Sequence, residues 1–542
     1  MVLRGPLPDV DIPEMSLYQR LIEPITGEHR DKLALINPMT GQELTFGQVR
    51  DEVEHVAAWF ATKGVGPGDS VGLALPTCPE YVTAFHGIAR AGAAASPMNV
   101  MYAPREFAEQ LEMTRSKFVI VHVAMLAAMV KAATQAGLPL QNLIVVGDIP
   151  AGAVPEPMPF TPYSALTTCA EPLPPENVTD PRTHVAALPL SSGIGGDMKP
   201  VMLTHYNLVA EMTMLYGSMD AIKTHHTLVS FLPFSHVYAL SGSMNFALSE
   251  FSLNVTLPLF DPAAYLAAVQ KYRATLLFLV PSVASLLASN PMVDDYDLSS
   301  VKCIIVGAAP LSEEMGNAMA KRLNTIVLQG YGMTECCPVT HVMLPEMENV
   351  SCETVGPGLP NLDYRVVDVA TAQDVTVPEE GESEPGELWV RGPNIMLGYL
   401  DRPEETAEII DTDGFLHTGD LVRVDHRGVV RIVGRTKELI KNSGFQVAPA
   451  ELEAVLKTHP AVQDAGVFGV PMNDGTGNES PYALIQLKEG QKATPIDIIK
   501  HLNPQVAKYK FLRSVTFVDA IPRDDKGAII RAELPGLAPA KA

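Results

Sequence analysis

The sequence predicts an α/β protein with a large N-terminal domain and a smaller α+β C-terminal domain. Three observations carry that expectation. The 542 residues exceed what a single apolar core supports, so the chain divides. β-Branched apolar runs alternate with helical patterns through most of the chain, as in a largely parallel sheet crossed by helices. After "GRTKELIK" the pattern restarts in short units of ordinary small-domain size. The predicted division is 1–435 and 436–542, with the boundary near Lys437.

Taken in order, the elements follow from local chemistry. "ATLLFLVPSVASLLAS" is broken by Pro281 and too short to cross a bilayer. "VKCIIVGAAP" reads as a buried strand running into a glycine turn. "SEEMGNAMAKRL" reads as a helix capped by Ser312, with Glu313 and Glu314 at its positive end. "TIVLQGYG" is the next strand. Ligands usually meet the loops at the carboxyl ends of such strands, which here are "GAAP" and "QGYGMTE". Residues 372–386 turn acidic and proline-rich, as a surface hairpin or connector does. Beyond the boundary, "APAELEAVLKTH" is a helix with Pro449 near its start. "AGVFGV" and "YALIQL" are strands, and "TPIDIIKHL" is a helix with Thr494 as cap and Pro495 in its first turn.

Composition excludes several classes of function. The formal charge of −23 repels phosphate backbones, which argues against a nucleic-acid partner while leaving room for one local basic pocket. Six cysteines form no CxxC pair and no metal spacing, as expected of buried free thiols in a reducing cytoplasm. The N-terminus carries prolines and acids without a signal-peptide core, so a cytoplasmic protein with no membrane partner is expected. No feature specifies an oligomeric state.

The stretch "SSGIGGDMKP" (191–200) gathers glycines, serines and a lysine, the means by which backbone N–H groups and side-chain donors converge on an anion. The Walker pattern is absent, so on composition a phosphate loop and a tight ligand-free turn stand equal. The order of several segments changes that balance. "SSGIGGDMKPVMLTH", "LPFSHVYAL", "GAAPLS", "QGYGMTE", "HTGD", "GRTKELIKNSGFQVAPAELE" and "IPRDDKGAIIRAEL" follow one another. Together they resemble the adenylate-forming superfamily of acyl-CoA synthetases, luciferases and adenylation domains, and most closely the 4-coumarate–CoA ligases.

The resemblance implies ATP and Mg²⁺ as cofactors and a small acid as substrate. It implies that Tyr331 stacks on adenine, Thr334 meets phosphate, and Glu335 meets the metal. Asp420 and Arg435 would take the ribose hydroxyls. Ala309, Gln329 and Gly330 would line the nucleotide site, largely through backbone. Ser191, Ser192, Gly193, Gly196 and Lys199 are what remains of the phosphate loop. The acid pocket would use His236, Tyr238, Ser241, Gly307, Ala308, Gly332 and Pro338, with His236 also a gate toward the acceptor. Lys441 and Gln446 match residues of the second half-reaction, which follows a swing of the C-terminal domain about Lys437.

Three departures stand out. Ile194 and Gly195 replace two threonines of related loops, and Pro200 replaces a glycine, so two hydroxyl donors are gone. Ala528 stands where relatives carry a lysine that bridges acid and α-phosphate. Losing one such contact typically costs about 10²–10³ in rate. Lys526, two positions earlier, shares a face with position 528 in an extended strand. It is either a relocated cation or a plain surface lysine. Leu259 and Ser443 occupy positions where ligases of this group often carry basic residues for coenzyme A, which weakens coenzyme A as the acceptor.

The expected activity is therefore ATP-dependent adenylation of a small, aromatic or cinnamic-type acid, with pyrophosphate release and transfer to an acceptor. One alternative is a diazotase that activates nitrite and passes it to an aromatic amine. Another is a nucleotide-binding homologue without catalysis.

Overall fold

Runs such as Cys303-Ile304-Ile305-Val306 present no polar face, and such strands belong in a sheet covered on both sides. The computed structural model describes residues 1–149, 159–191, 198–216, 225–309, 311–347, 350–369, 371–435, 440–443, 445–447, 449–472, 476–523 and 529–539.

Among these, one eight-stranded sheet runs in the order Val339–Val342, Ile326–Gly332, Cys303–Val306, Leu276–Leu279, Thr227–Ser230, Leu253–Thr256, Leu33–Asn37 and Gln42–Thr45. Its six inner strands are parallel and its two edge strands antiparallel. A second sheet is built on the parallel strands Ala94–Pro97, Ser70–Ala74, Ser116–His122 and Leu143–Val146. It ends in the antiparallel pair Lys199–Thr204 and Gly398–Tyr399. A four-stranded antiparallel sheet spans Asp363–Val367 to Val430–Arg435.

Local expectations hold at named positions. Pro281 ends the strand Leu276–Leu279 and opens the helix Pro281–Ser289. Ser312 Oγ accepts from Met315 N–H at the start of the helix Glu313–Leu323. Thr494 does the same for Asp497 ahead of the helix Pro495–Leu502. Among the described residues no helix is long and apolar enough to cross a membrane.

The chain beyond residue 440 has its own apolar cluster, including Ile440, Leu452, Val467, Ile485 and Leu512. It rests on the three-stranded sheet of Val462–Pro471, Glu479–Leu487 and Ser514–Phe517. It is tied to the N-terminal part by one buried ion cluster. Lys510 Nζ reaches Glu106 Oε1 at 2.7 Å and Glu451 Oε1 at 2.8 Å, and its side chain is 2% exposed. Lys510 also sits over the rings of Tyr102 and Tyr509. Two carboxylates and two aromatic faces hold its pKa well above the ordinary lysine value despite burial.

Candidate active site

The strands Cys303–Val306 and Ile326–Gly332 lie side by side with Val306 opposite Gln329, so their carboxyl ends open at one point. Each feeds a glycine turn. At Gly307 an added Cβ would stand 3.1 Å from the Tyr238 ring, whose hydroxyl donates to the Ile305 carbonyl at 3.0 Å. At Gly332 a Cβ would fall 1.7 Å from the Pro338 carbonyl oxygen, so no other residue fits. Ala308 is left-handed, with φ +72°. The cleft over these turns is lined by His236, Tyr238, Gly307, Ala308, Gly332 and Pro338 of the predicted acid pocket. Ser241 stands behind that lining, its Oγ donating to the Cys337 carbonyl at 2.9 Å. His236 Nδ1 accepts from the Tyr238 N–H at 3.3 Å, so any proton on the neutral ring sits on Nε2. Burial pushes this imidazole down to about 4, so it is uncharged at neutral pH.

The predicted nucleotide residues Ala309, Gln329, Gly330, Tyr331, Thr334, Glu335 and Asp420 line the same cleft. Several of their side chains have partners within the protein. The Tyr331 hydroxyl donates to Asp420 Oδ2 at 2.5 Å. Asp420 faces Arg435 across the strand pair Leu416–Val424 and Val430–Arg435. Glu335 is 1% exposed and its Oε1 accepts from the Tyr399 hydroxyl at 2.8 Å. Gln329 clamps two loops, accepting from Leu311 N–H at 2.5 Å and donating to the Thr354 carbonyl at 3.0 Å. Lys199 is outside the lining. Its ammonium pairs with Glu405 at 2.7 Å and lies 5.3 Å from the Tyr399 ring centre.

The phosphate-loop stretch is closed by a short ladder, Ser191 opposite Lys199 and Leu190 opposite Pro200. Ser191 lines the cleft. Ser192, Gly193, Ile194, Gly195 and Gly196 lie outside the described residues, as do Lys437, Lys526 and Ala528.

The C-terminal part contributes Lys441, Phe445 and Tyr509 to the lining. Lys441 and Gln446 face each other in the hairpin Ile440–Asn442 and Phe445–Val447. Phe445 stacks on Tyr509 with ring centres 4.2 Å apart. Ser443 is spent on local bonds, its N–H to Asn478 and its hydroxyl to Asn442. Leu259 is 72% exposed, so the two positions expected to lack basic contacts present a surface leucine and a locally bonded serine.

Sequence reasoning missed Tyr399, Glu405, Leu215, Phe278, Tyr102 and Tyr509. Tyr399 and Glu405 carry no motif signal, because their role comes from the pairing of Gly398–Tyr399 with Lys199–Thr204. The other four are ordinary apolar or aromatic residues that the fold turns toward the cleft.

No group of three or more His, Cys, Asp or Glu side chains capable of holding a metal occurs among the described residues. Mg²⁺ is commonly held by one or two carboxylates with phosphate and water completing its shell, and Glu335 is one of the carboxylates lining the cleft.

A family model for AMP-binding enzymes matches residues 24–400, and a model for the AMP-binding enzyme C-terminal domain matches residues 451–528. The 4-coumarate–CoA ligase 2 of Petroselinum crispum is 36% identical over 545 residues, covering 98% of this chain and 96% of its own. A probable 4-coumarate–CoA ligase 1 of Dictyostelium discoideum is 33% identical over 547 residues, covering 98% and 97%. Among solved structures, the amide bond synthetase McbA of Marinactinospora thermotolerans shares the fold with a TM-score of 0.80 at 23% identity, covering 96% of this chain and 99% of that one. ATP-bound MatB of Rhodopseudomonas palustris has a TM-score of 0.69 at 26% identity, covering 97% and 99%.

Proposed function

The chain belongs to the AMP-binding enzyme family of ATP-dependent, AMP-forming ligases, and on that premise we propose that it activates a small, flat aromatic acid and passes the acyl group to an acceptor other than coenzyme A. The observation that carries this reading is the two-sided cleft. One side is largely apolar, lined by Tyr238, Phe278, Ile305 and Val339 with Gly307 and Gly332. The other is polar and presents Tyr331, Thr334, Glu335 and Asp420.

A carboxylate is a poor electrophile because its leaving group would be oxide. Joining it to AMP gives a mixed anhydride with a good leaving group. In this cleft the chain acts mainly by placement: the apolar side orients the ring, Asp420 and Tyr331 fix the nucleoside, and Thr334 donates toward phosphate. Mg²⁺, when bound, neutralises phosphate charge through a site that includes Glu335. His236 is uncharged at neutral pH and would stand between the acid and acceptor sides. Lys441, Phe445 and Tyr509 supply the wall on that side. The acceptor assignment is supported by Leu259 and Ser443, which offer no cation to the phosphates of coenzyme A.

A pyrophosphate-release screen across aromatic acids, fatty acids and nitrite, each with and without coenzyme A, tests this. Release is expected with aromatic acids and independent of coenzyme A. Failure of every candidate to convert ATP to AMP would overturn it. The same two positions favour a second reading, in which nitrite is activated and passed to an aromatic amine. Release that needs the carboxylic acid but not nitrite rejects that reading.

A further inference from the structure

The helix His205–Tyr216 carries a single acidic residue, Glu211, and it is fully buried. Among the described residues, neither of its carboxyl oxygens has a hydrogen-bond partner. One helical turn later, Leu215 lines the acid side of the cleft, and residues four apart share a helix face. The segment around Cys337 is the other neighbour. The Cys337 thiol is raised by burial and then by the nearby charge of Glu211. The Cys337 carbonyl is held by Ser241 Oγ, and the chain neighbours of these two residues, Pro338 and Gly242, line the cleft. Glu211 therefore lies beneath the part of the wall made by Leu215, Gly242 and Pro338, where Gly242 contributes backbone alone. The π-helical turn Leu240–Asn245, a form concentrated at functional sites, packs against the same helix.

Burying a carboxyl group without a partner is costly, and native proteins rarely keep one unless something else satisfies it. The mechanism above makes no use of Glu211. A ligand that brings its own hydrogen-bond donor into this end of the cleft supplies what the protein omits. The acid's own carboxylate is unsuited to that place, because two carboxyl groups in one buried site disfavour each other's charge.

We propose that Glu211 is a specificity residue that accepts a hydrogen bond from an amino or hydroxyl substituent on the substrate ring, at the end remote from the reacting carboxylate. This rests on reading the cleft as an aromatic-acid site. It narrows the substrate class to donor-bearing aromatic acids. Amino and hydroxyl groups both match the site, since each carries a donor for a carboxyl oxygen.

The test compares the wild-type chain with Glu211→Leu and Glu211→Gln. Acid-dependent pyrophosphate release and calorimetric binding are measured with cinnamic, 4-hydroxycinnamic, 3-aminocinnamic and 4-aminocinnamic acids. The wild type should favour at least one donor-bearing acid over cinnamic acid by about tenfold, the scale of one buried hydrogen bond. Glu211→Leu should erase that preference. Glu211→Gln, which keeps a carbonyl acceptor, should lower it by about threefold. The comparison of amino and hydroxyl arms shows which donor the site takes. A wild type without preference, or a leucine variant that keeps it, overturns the inference while leaving the aromatic-acid reading intact. Should Glu211→Leu fail to fold in a thermal melt, an unchanged preference in Glu211→Gln overturns it equally. If no aromatic acid binds the wild type or drives release, the reading of the cleft itself fails, and this inference with it.

Discussion

The two sides of the cleft handle their polar groups in opposite ways. On the nucleotide side, Tyr331 bonds Asp420, Tyr399 bonds Glu335, and Lys199 pairs with Glu405. Each of these charged or hydroxyl groups has a partner within the protein. Beneath the acid side, Glu211 is buried with neither carboxyl oxygen bonded among the described residues. A site that must bind and release a common nucleotide gains from resting partners that exchange cheaply for ligand contacts. A site that must choose among similar rings gains from a group satisfied by one of them alone, since an unmatched buried donor or acceptor penalises the wrong ligand.

If the contrast is sound, the largest effect falls on the nucleotide side. Asp420→Ala removes a buried carboxylate from the polar wall, and kcat/KM for ATP should fall about 10²–10³-fold, the usual scale for a preorganised charged contact. A change under tenfold in steady-state pyrophosphate release would show that Asp420 is spent on holding Tyr331.

The next effect is on stability and has the opposite sign. Replacing Glu211 by leucine removes an unsatisfied group, and the variant should be more stable by about 1–3 kcal/mol at pH 7. Burial holds this carboxyl well above its ordinary 4.5. Between that value and its raised one, the folded state keeps a proton that the unfolded state loses, so wild-type stability falls as pH rises through the window. The advantage of Glu211→Leu should therefore be greatest at neutral pH and shrink as pH falls toward 4.5. Denaturant melts at pH 7 and pH 5 measure it. An advantage that grows on acidification would place a hidden cation beside Glu211 and erase the contrast.

The smallest effect concerns Tyr331→Phe, which strips Asp420 of its resting donor. The ligand-free chain should lose about 1 kcal/mol. ATP should restore more stability to the variant than to the wild type, because the ribose hydroxyls replace the lost donor. Thermal shift with and without ATP reads the difference, and equal shifts would mean that the two groups do not exchange.

Several of these features were legible in the residue order. The strand Cys303–Val306, the helix Glu313–Leu323 with its Ser312 cap, and the break at Pro281 follow from periods and caps that act within a few residues. The glycine turns at 307 and 332 were visible as loops after strands. The motif series placed Tyr331, Thr334, Glu335 and Asp420 in one site, and all four line one cleft. Lys199 was equally visible as a residue type, yet its partner Glu405 lies two hundred positions away in a segment without any signature.

Two other charges show the same limit. Lys510 is buried against Glu106, 404 positions earlier. Glu211 is buried by the packing of its helix, with no hydrogen-bond partner among the described residues. Element type, caps and motif identity are short-range properties, so the amino-acid order is enough to specify them. Whether a given charge is solvated, paired or stranded depends on which distant segments close over it, and that emerges when the sheets and helices are packed together.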